Sequence, residues 1–498
     1  MSKKIFFKGV SYSYLRQITS LITGIISLPI LLNYFGSVNY GIWVLILGLT
    51  GYINTISFGI PSAMSTLVAN SSNLKNKYLI LKKSFELLLV LSLSAVIVFV
   101  FSIYFNSEWI LSLLGNIDEE SFYVSKTIFV LFVIFTLIKL PFDLFVQFFS
   151  GMNAVYNSEI YFFFKILVSF FVVLSTMCFT LNFLEFAVFW MLGDFFISFI
   201  SSIHVYVKYS YLRKENINEM VTTKKDILKS GFAFFQVGLA ASLVWSTDNL
   251  VISHFLSPEF VTPYSIAFKI FTYMFMFSAI LNGVVAPMYG NAYAVKDFNE
   301  IRKLSNFIYK VLPSVGACVW IFLILFSKEI ILFWTGSDDA FGGYLLFFSL
   351  GLYGYALSYV NTYATLLYSF NLARKIYSIA WLEAILNLVL SLILIQYLGI
   401  GGVALGTAIS ALVISLMLPK LIKKLTNQEV TYESSFINKK FVFLVLPFLI
   451  LCMLILELSL IYKVVIFILF SFLIVFVNWK SLSLNEKVIV KSFFNKLK

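Results

Sequence analysis

Apolar residues fall in long runs that recur from one end of the chain to the other, each closed by a short cluster of polar or charged positions. A window of about 19 residues, the length that crosses a bilayer as a helix, marks fourteen such runs. The first six lie roughly at 10–34, 39–68, 79–105, 123–149, 159–182 and 184–208. The next six lie at 230–254, 262–289, 304–327, 344–370, 376–397 and 402–421, and the last two at 441–460 and 464–479. Uncharged stretches such as VLSLSAVIVFVFSIYF exceed what a soluble core can hide, whereas lipid accepts them. The pattern predicts an all-α polytopic membrane protein.

Composition strengthens that reading, with 60% apolar residues and only 12% charged, about half the usual ~25%. The net charge of +12 could suggest nucleic acid, so its placement matters. With the N-terminus inside, 29 of the 36 Lys and Arg residues fall in cytoplasmic loops, tails and the span ends that adjoin them, 2 (Lys328 and Lys463) fall in outer loops, and 5 lie deeper within spans. That asymmetry is the positive-inside rule, and it needs no nucleic acid. Both termini are therefore expected in the cytoplasm. A cleaved signal peptide would use Lys3, Lys4 and Lys8 as its basic region, but no small-x-small site follows promptly. Cys178, Cys318 and Cys452 sit in different spans, and His204 and His254 lie near span ends. No disulfide framework, metal site, cofactor or Ser-His-Asp chemistry is suggested.

Loops are short on both faces. The inner loops around 210–228 and 422–439 are the longest and most polar, and they divide the spans six, six and two. The expected organisation is residues 1–212 and 229–424 as two six-helix bundles, 440–480 as two added spans, and 481–498 as a cytoplasmic tail. The bundles read as a repeat. LLNYFGSVNYGIWVLI between spans 1 and 2 parallels VISHFLSPEFVTPYSIA between spans 7 and 8, and spans 2 and 8 both end near a proline, in FGIPSAM and VVAPMYG.

An intramembrane charge is expensive, so the helix face that carries it is informative. On span 1, Tyr12, Arg16, Thr19, Ser20, Thr23 and Ser27 share an arc of about 100°, while Leu15, Ile18, Ile22 and Ile26 fall outside it. On span 4, Thr136, Lys139, Asp143, Gln147 and Ser150 share a face. Asp194 lies with Ser198, Ser201 and Ser202 on span 6, and Glu383 with Asn387 and Ser391 on span 11. Span 10 has the uncharged stripe Ser358, Asn361, Thr362, Thr365 and Ser369. Such stripes fit either a shared wet interior or tight helix packing. Lys139 and Asp143, four residues apart, also suit mutual neutralisation, and Lys165 and Lys269 are placed to snorkel. On span 7, Ser242, Ser246, Asn249 and Ser253 form a stripe, with Asp248 about 130° away from it.

Arg16 heads its stripe about two turns below the cytoplasmic end of span 1. A guanidinium there makes forked, charge-assisted hydrogen bonds to phosphate oxygens and keeps its charge. The candidate substrate-binding residues are Arg16, Thr19, Thr23, Lys139, Asp143, Asp194, Lys269 and Glu383.

The sequence NYFGSVNYGIW followed by FGIPSAM, the stretch STDNLVISHFLSPEFVTPYSIAFKI and the turn YLGIGGVALGTAIS resemble Wzx-type oligosaccharide flippases of the MATE-like (MOP) superfamily. With fourteen spans, the resemblance covers essentially the whole chain. One departure stands out: Ser57-Phe58-Gly59 lacks the acidic residue that often precedes this glycine in the family, so no acid is carried over there. The resemblance implies two six-helix bundles in a V plus spans 13 and 14, in a bacterial cytoplasmic membrane. It implies as substrate an oligosaccharide on undecaprenyl diphosphate or a similar carrier. A polysaccharide polymerase and chain-length proteins would be partners, and coupling to a proton or sodium gradient would be possible.

Three rival readings stay open. An ion-coupled drug or cation antiporter of the same fold would use Asp143, Asp194 or Glu383. A murein-precursor flippase would look the same in these features. A membrane polymerase or acyltransferase commonly carries a large charged outer loop or a buried histidine, and this chain shows neither.

Overall fold

In the computed structural model, residues 3–71, 73–106, 109, 119–213, 222–370, 377–426 and 459–481 are described. Expected span 13, most of the outer loop after span 3, parts of both long inner loops and the tail 482–498 lie outside the described residues. The described chain is helical, and nine of its stretches are long and apolar enough to cross a membrane. It is a polytopic membrane protein. Two compact units divide it, residues 1–262 and 263–498.

The first unit opens with α1 (Lys3–Thr55), which carries span 1 and the first part of span 2 as two arms. They join at Gly36, whose φ of 79° suits a residue without a Cβ. Span 2 is not one helix. It stops at Thr55, turns through residues 56–59 and restarts as α2 (Ile60–Asn70), with a proline in the first turn. Three turn bonds hold the break: Ser57 N–H to Asn54 O at 3.1 Å, Phe58 to Thr55 at 2.9 Å and Ile60 to Ser57 at 3.0 Å.

Non-helical backbone at membrane depth must be covered by protein, and α7 (Lys224–Phe255) covers this break. A Cβ on Gly59, at φ 65°, would overlap the Gly231 carbonyl, and one on Gly231 would lie 2.6 Å from the Phe58 carbonyl. The Phe58 and Phe235 rings stack at 5.0 Å. Farther along, Gly51 faces Ser242 and Ser246, and Gly48 faces Asn249. The Tyr52 and Thr247 hydroxyls share a 2.5 Å hydrogen bond, and Asp248 beside them is only 3% exposed. The small-residue stripe of span 7 is thus a packing seam, and α7, expected to open the second bundle, lies in the first unit.

Four further helices complete the first unit: α3 (Leu74–Phe105), α4 (Glu119–Gly151), α5 (Val155–Phe179) and α6 (Phe183–Lys208). The short α5–α6 turn works because Asn182 caps α6. Its side chain accepts from Glu185 N–H at 2.9 Å while the Glu185 carboxylate accepts from Asn182 N–H at 2.9 Å. Ile60, Met64, Ile80, Leu144, Phe148 and Phe149 belong to the core between these helices.

In the second unit, α8 (Pro258–Ala294, beginning in the first unit) leads to α9 (Phe298–Thr335), α10 (Tyr344–Ser369), α11 (Tyr377–Leu425) and α12 (Leu460–Ser481). Helix α11 holds spans 11 and 12 as two arms bent at Gly399, with φ 56°. The arms pack through Gly406, where a Cβ would lie 2.8 Å from Ser391 N, and Asn387 donates to the Thr407 hydroxyl at 3.0 Å. Helix α12 docks on α9 around Trp320 and Phe326, and Lys463 bonds Glu329 at 2.6 Å.

Alanine at Gly231 is expected to lower the thermal unfolding temperature of the detergent-solubilised protein, at a cost of about 1–3 kcal/mol. Gly238, on the same helix but facing open space, is the control. Equal melting of the two alanine variants would mean that the broken backbone does not bear on α7.

Candidate functional site

Along the polar stripe of α1, Tyr12, Arg16, Thr19 and Ser27 are half-buried and Ser20 is exposed, while Leu15, Ile18, Ile22 and Ile26 on the other side are all exposed. Thr23 is buried and donates to the Thr19 carbonyl at 2.8 Å. Arg16 is not a free cation. Its Nε donates to Glu159 on the first turn of α5 at 2.6 Å, and its guanidinium lies 5.8 Å from the Phe162 ring centre. The Arg16 side chain keeps 32% exposure, so it still reaches solvent-accessible space.

Deeper in the bundle, α4, α5 and α6 contribute four ionised side chains to one ring. Lys139 and Asp143 stand four residues apart on α4, on either side of Pro141, which removes one backbone hydrogen bond from that turn. Lys165 comes from α5 and Asp194 from α6. Lys139 bonds Asp194 and lies 3.5 Å from Asp143. Lys165 lies 2.6 Å from Asp143 and 3.3 Å from Asp194. Ser198 donates to the remaining side of Asp143 at 2.6 Å. Each ammonium therefore touches both carboxylates, and each carboxylate touches both ammoniums. Asp143 is the most accessible member, 29% exposed against 14–15% for the others.

The ring unites three of the residues picked out by sequence, Lys139, Asp143 and Asp194, and adds a fourth. Lys165 does not snorkel, because two carboxylates outbid the headgroups. Lys139 and Asp143 do not simply neutralise each other, because each has a nearer partner on another helix. Glu159 was not anticipated. It is the one acid of span 5 and sits at the same mouth as Arg16, which was the available signal.

The remaining candidates stand apart from this cluster. Lys269 on α8 and Glu383 on α11 belong to the second unit, are half-buried, and have no ion-pair partner among the described residues. On α10, Ser369 bonds the Ala286 carbonyl at 3.0 Å and Thr362 bonds Ser358 O at 2.9 Å. On α11, Asn387 and Ser391 bond the second arm. Ser369, Asn387 and Ser391 thus bond across helix contacts, whereas Thr362 bonds within its own helix. Among the described residues no cluster of His, Cys, Asp and Glu suits a metal.

Residues 237–393 match the MatE family. That match spans about a third of the chain. The fold as a whole is MATE-like. The structure of "Lipid II flippase MurJ, inward closed conformation" superposes with a TM-score of 0.71 at 17% identity, covering 94% of this chain and 99% of that one. An inward-facing multidrug resistance MATE family transporter of the MOP superfamily gives 0.69 at 14% identity, covering 85% and 98%. Among curated relatives, a "Putative O-antigen transporter" of Salmonella typhimurium (strain LT2) is 29% identical over 187 residues, which is 37% of this chain but only 43% of that relative. One of the same name from Salmonella typhi is 23% identical over 429 residues, 80% of this chain and 91% of that one.

A ring of buried charges resists the loss of one member more than the loss of a balanced pair. Lys165→Met alone is expected to cost about 3–5 kcal/mol of stability. Lys165→Met combined with Asp143→Leu, which leaves a neutral Lys139–Asp194 pair, should cost clearly less. Denaturant unfolding of both variants in detergent tests this, and additive losses would mean that the four side chains do not act as one unit.

Proposed function

We propose that this protein is a flippase. It moves an oligosaccharide repeat unit on a polyprenyl diphosphate of the undecaprenyl type from the inner to the outer leaflet of a bacterial cytoplasmic membrane, for O-antigen or capsule synthesis. The observation that carries the reading is the set of cations inside an apolar helix bundle, Arg16 near the inner mouth and Lys139 deeper in, each held by carboxylates. An arginine or lysine that already sits against a carboxylate can be handed to a phosphate oxygen without entering an apolar medium unpaired. The MATE-like fold shared with a lipid II flippase, and the relatives named as O-antigen transporters, support the same reading.

In this reading the diphosphate meets Arg16 and Lys139, hydroxyls such as those of Thr19 and Thr23 meet the sugars, and the prenyl tail stays in the bilayer. No bond is made or broken, so the protein acts as a transporter and not as an enzyme. Both termini face the cytoplasm in this reading, which the Lys and Arg distribution supports. A polymerase and chain-length proteins take over the flipped unit. A proton or sodium gradient supplies coupling through Asp143, Asp194 or Glu383.

A second reading, an ion-coupled drug or cation antiporter, is favoured by one observation: the half-buried Glu383 has no partner among the described residues and is free to take a cation.

Cells lacking the protein are expected to accumulate lipid-diphosphate-linked oligosaccharide facing the cytoplasm. The natural protein should clear it, and Arg16→Ala should not. Sidedness is read by the accessibility of the sugars in inverted and right-side-out vesicles. Absence of accumulation in the deletion would reject the flippase reading in favour of the antiporter. Clearance by Arg16→Ala would remove Arg16 from the substrate path.

A further inference from the structure

One cavity of the first unit has a lining distinct from the charged ring and lies where the first turns of α3 meet the last turns of α4 and α6. Its volume is about 140 Å³, well above the roughly 10–15 Å³ that one water molecule needs. Phe85, Phe145 and Phe148 line it, with Tyr206 and Tyr209 on the α6 side and Lys82 on α3. Phe148 and Tyr209 are buried, whereas Lys82 and Tyr206 are exposed. The cavity thus has an apolar interior, a rim of phenolic hydroxyls and one ammonium at its edge.

The charges around this edge are unevenly committed. Lys83 donates to the Thr222 carbonyl at 2.7 Å. Lys224 pairs with Glu86 at 2.8 Å. Lys208 lies 5.8–5.9 Å from the ring centres of Phe149, Tyr156 and Tyr209. Lys82 has no ion pair among the described residues. It stands over the aromatic interior on the face where Lys and Arg collect. The inner leaflet that such a face meets is anionic, and each basic side chain near it contributes about 1 kcal/mol of attraction. Tyrosines at the ends of spanning helices are suited to the same depth, with an apolar body and a polar tip.

We propose that this cavity binds an anionic glycerophospholipid of the inner leaflet, its headgroup phosphate on Lys82 and part of an acyl chain against Phe85, Phe145 and Phe148. The inference does not depend on the flippase reading. It needs only a membrane-embedded bundle whose α3, α4 and α6 ends meet the headgroups. The bound lipid ties these three helices together at the end of the bundle.

The purified full chain in detergent is titrated with dioctanoyl phosphatidylglycerol, dioctanoyl phosphatidylcholine or inorganic phosphate. Thermal unfolding and lipid adducts in native mass spectra are followed together. Phosphatidylglycerol is expected to raise the unfolding temperature and to give a saturable adduct, with the other two probes having little effect. Lys82→Gln, at an exposed position that leaves the fold intact, should weaken phosphatidylglycerol about fivefold. Val205→Trp, which fills the cavity and keeps Lys82, should abolish the adduct. Equal binding of phosphatidylcholine would overturn the charge requirement, and stabilisation by inorganic phosphate alone would reduce the site to a bare anion contact. An adduct unchanged in both variants would place the lipid elsewhere and overturn the proposal.

Discussion

Lipid offers an ionised side chain nothing to bind, and the arrangement of α4, α5 and α6 follows from that. Lys139, Asp143, Lys165 and Asp194 would each cost several kcal/mol if left unpaired in such surroundings. No two of them on one helix can satisfy all four. Lys165 needs a carboxylate that only α4 or α6 can bring, and Asp194 needs an ammonium from α4 or α5. The three helices are therefore held in one register at the depth of the ring. Apolar packing alone would not fix that register, since one leucine-lined face slides on another at little cost. The Arg16–Glu159 pair does the same for α1 against α5.

The second organising constraint is close approach of backbone. The turn at residues 56–59 frees polar groups within an otherwise apolar span, and α7 covers them because Gly59 and Gly231 leave no side chains between the two backbones. The same device closes the hairpin of α11, where Gly406 lets the second arm rest on Ser391. Hydroxyls along these seams, such as those of Thr247 and Thr407, find partners across the contact and so add directional bonds to the van der Waals packing.

Much of the fold was legible in the sequence. The spans could be read because hydropathy is a local property and each helix meets its own backbone hydrogen bonds. Every expected span except the thirteenth, which lies outside the described residues, coincides with helix, span 2 with a break at residues 56–59. Within the polar arc of span 1, Thr23 is buried and Ser20 is exposed. A helical wheel, however, gives the direction of a side chain and not the identity of its neighbour. The stripe of span 7 and the Asn387–Ser391 stripe therefore looked the same as the ring residues, although they meet glycine and hydroxyl partners across helix contacts. Glu159 and Lys165 escaped for the same reason, because their partners are distant in sequence. The break in span 2 does have a local signal in Gly59 and Pro61, but apolar residues continue on both sides of it, so a hydropathy window runs straight across.

The ion pair between α12 and α9 has a consequence for how the protein is made. Asp143, Lys165 and Asp194 leave the ribosome within about fifty residues of one another, so the ring can close soon after α6 is inserted. Glu329 instead precedes Lys463 by 134 residues, and during that interval its carboxylate has no counter-charge from α12. It can wait because its side chain is 41% exposed even in the finished fold, whereas Lys463, almost wholly enclosed, arrives to a partner already in place. The partner made first is the one that tolerates water. The second unit is thus completed late, with its last described helix captured by a charge left standing at the membrane surface.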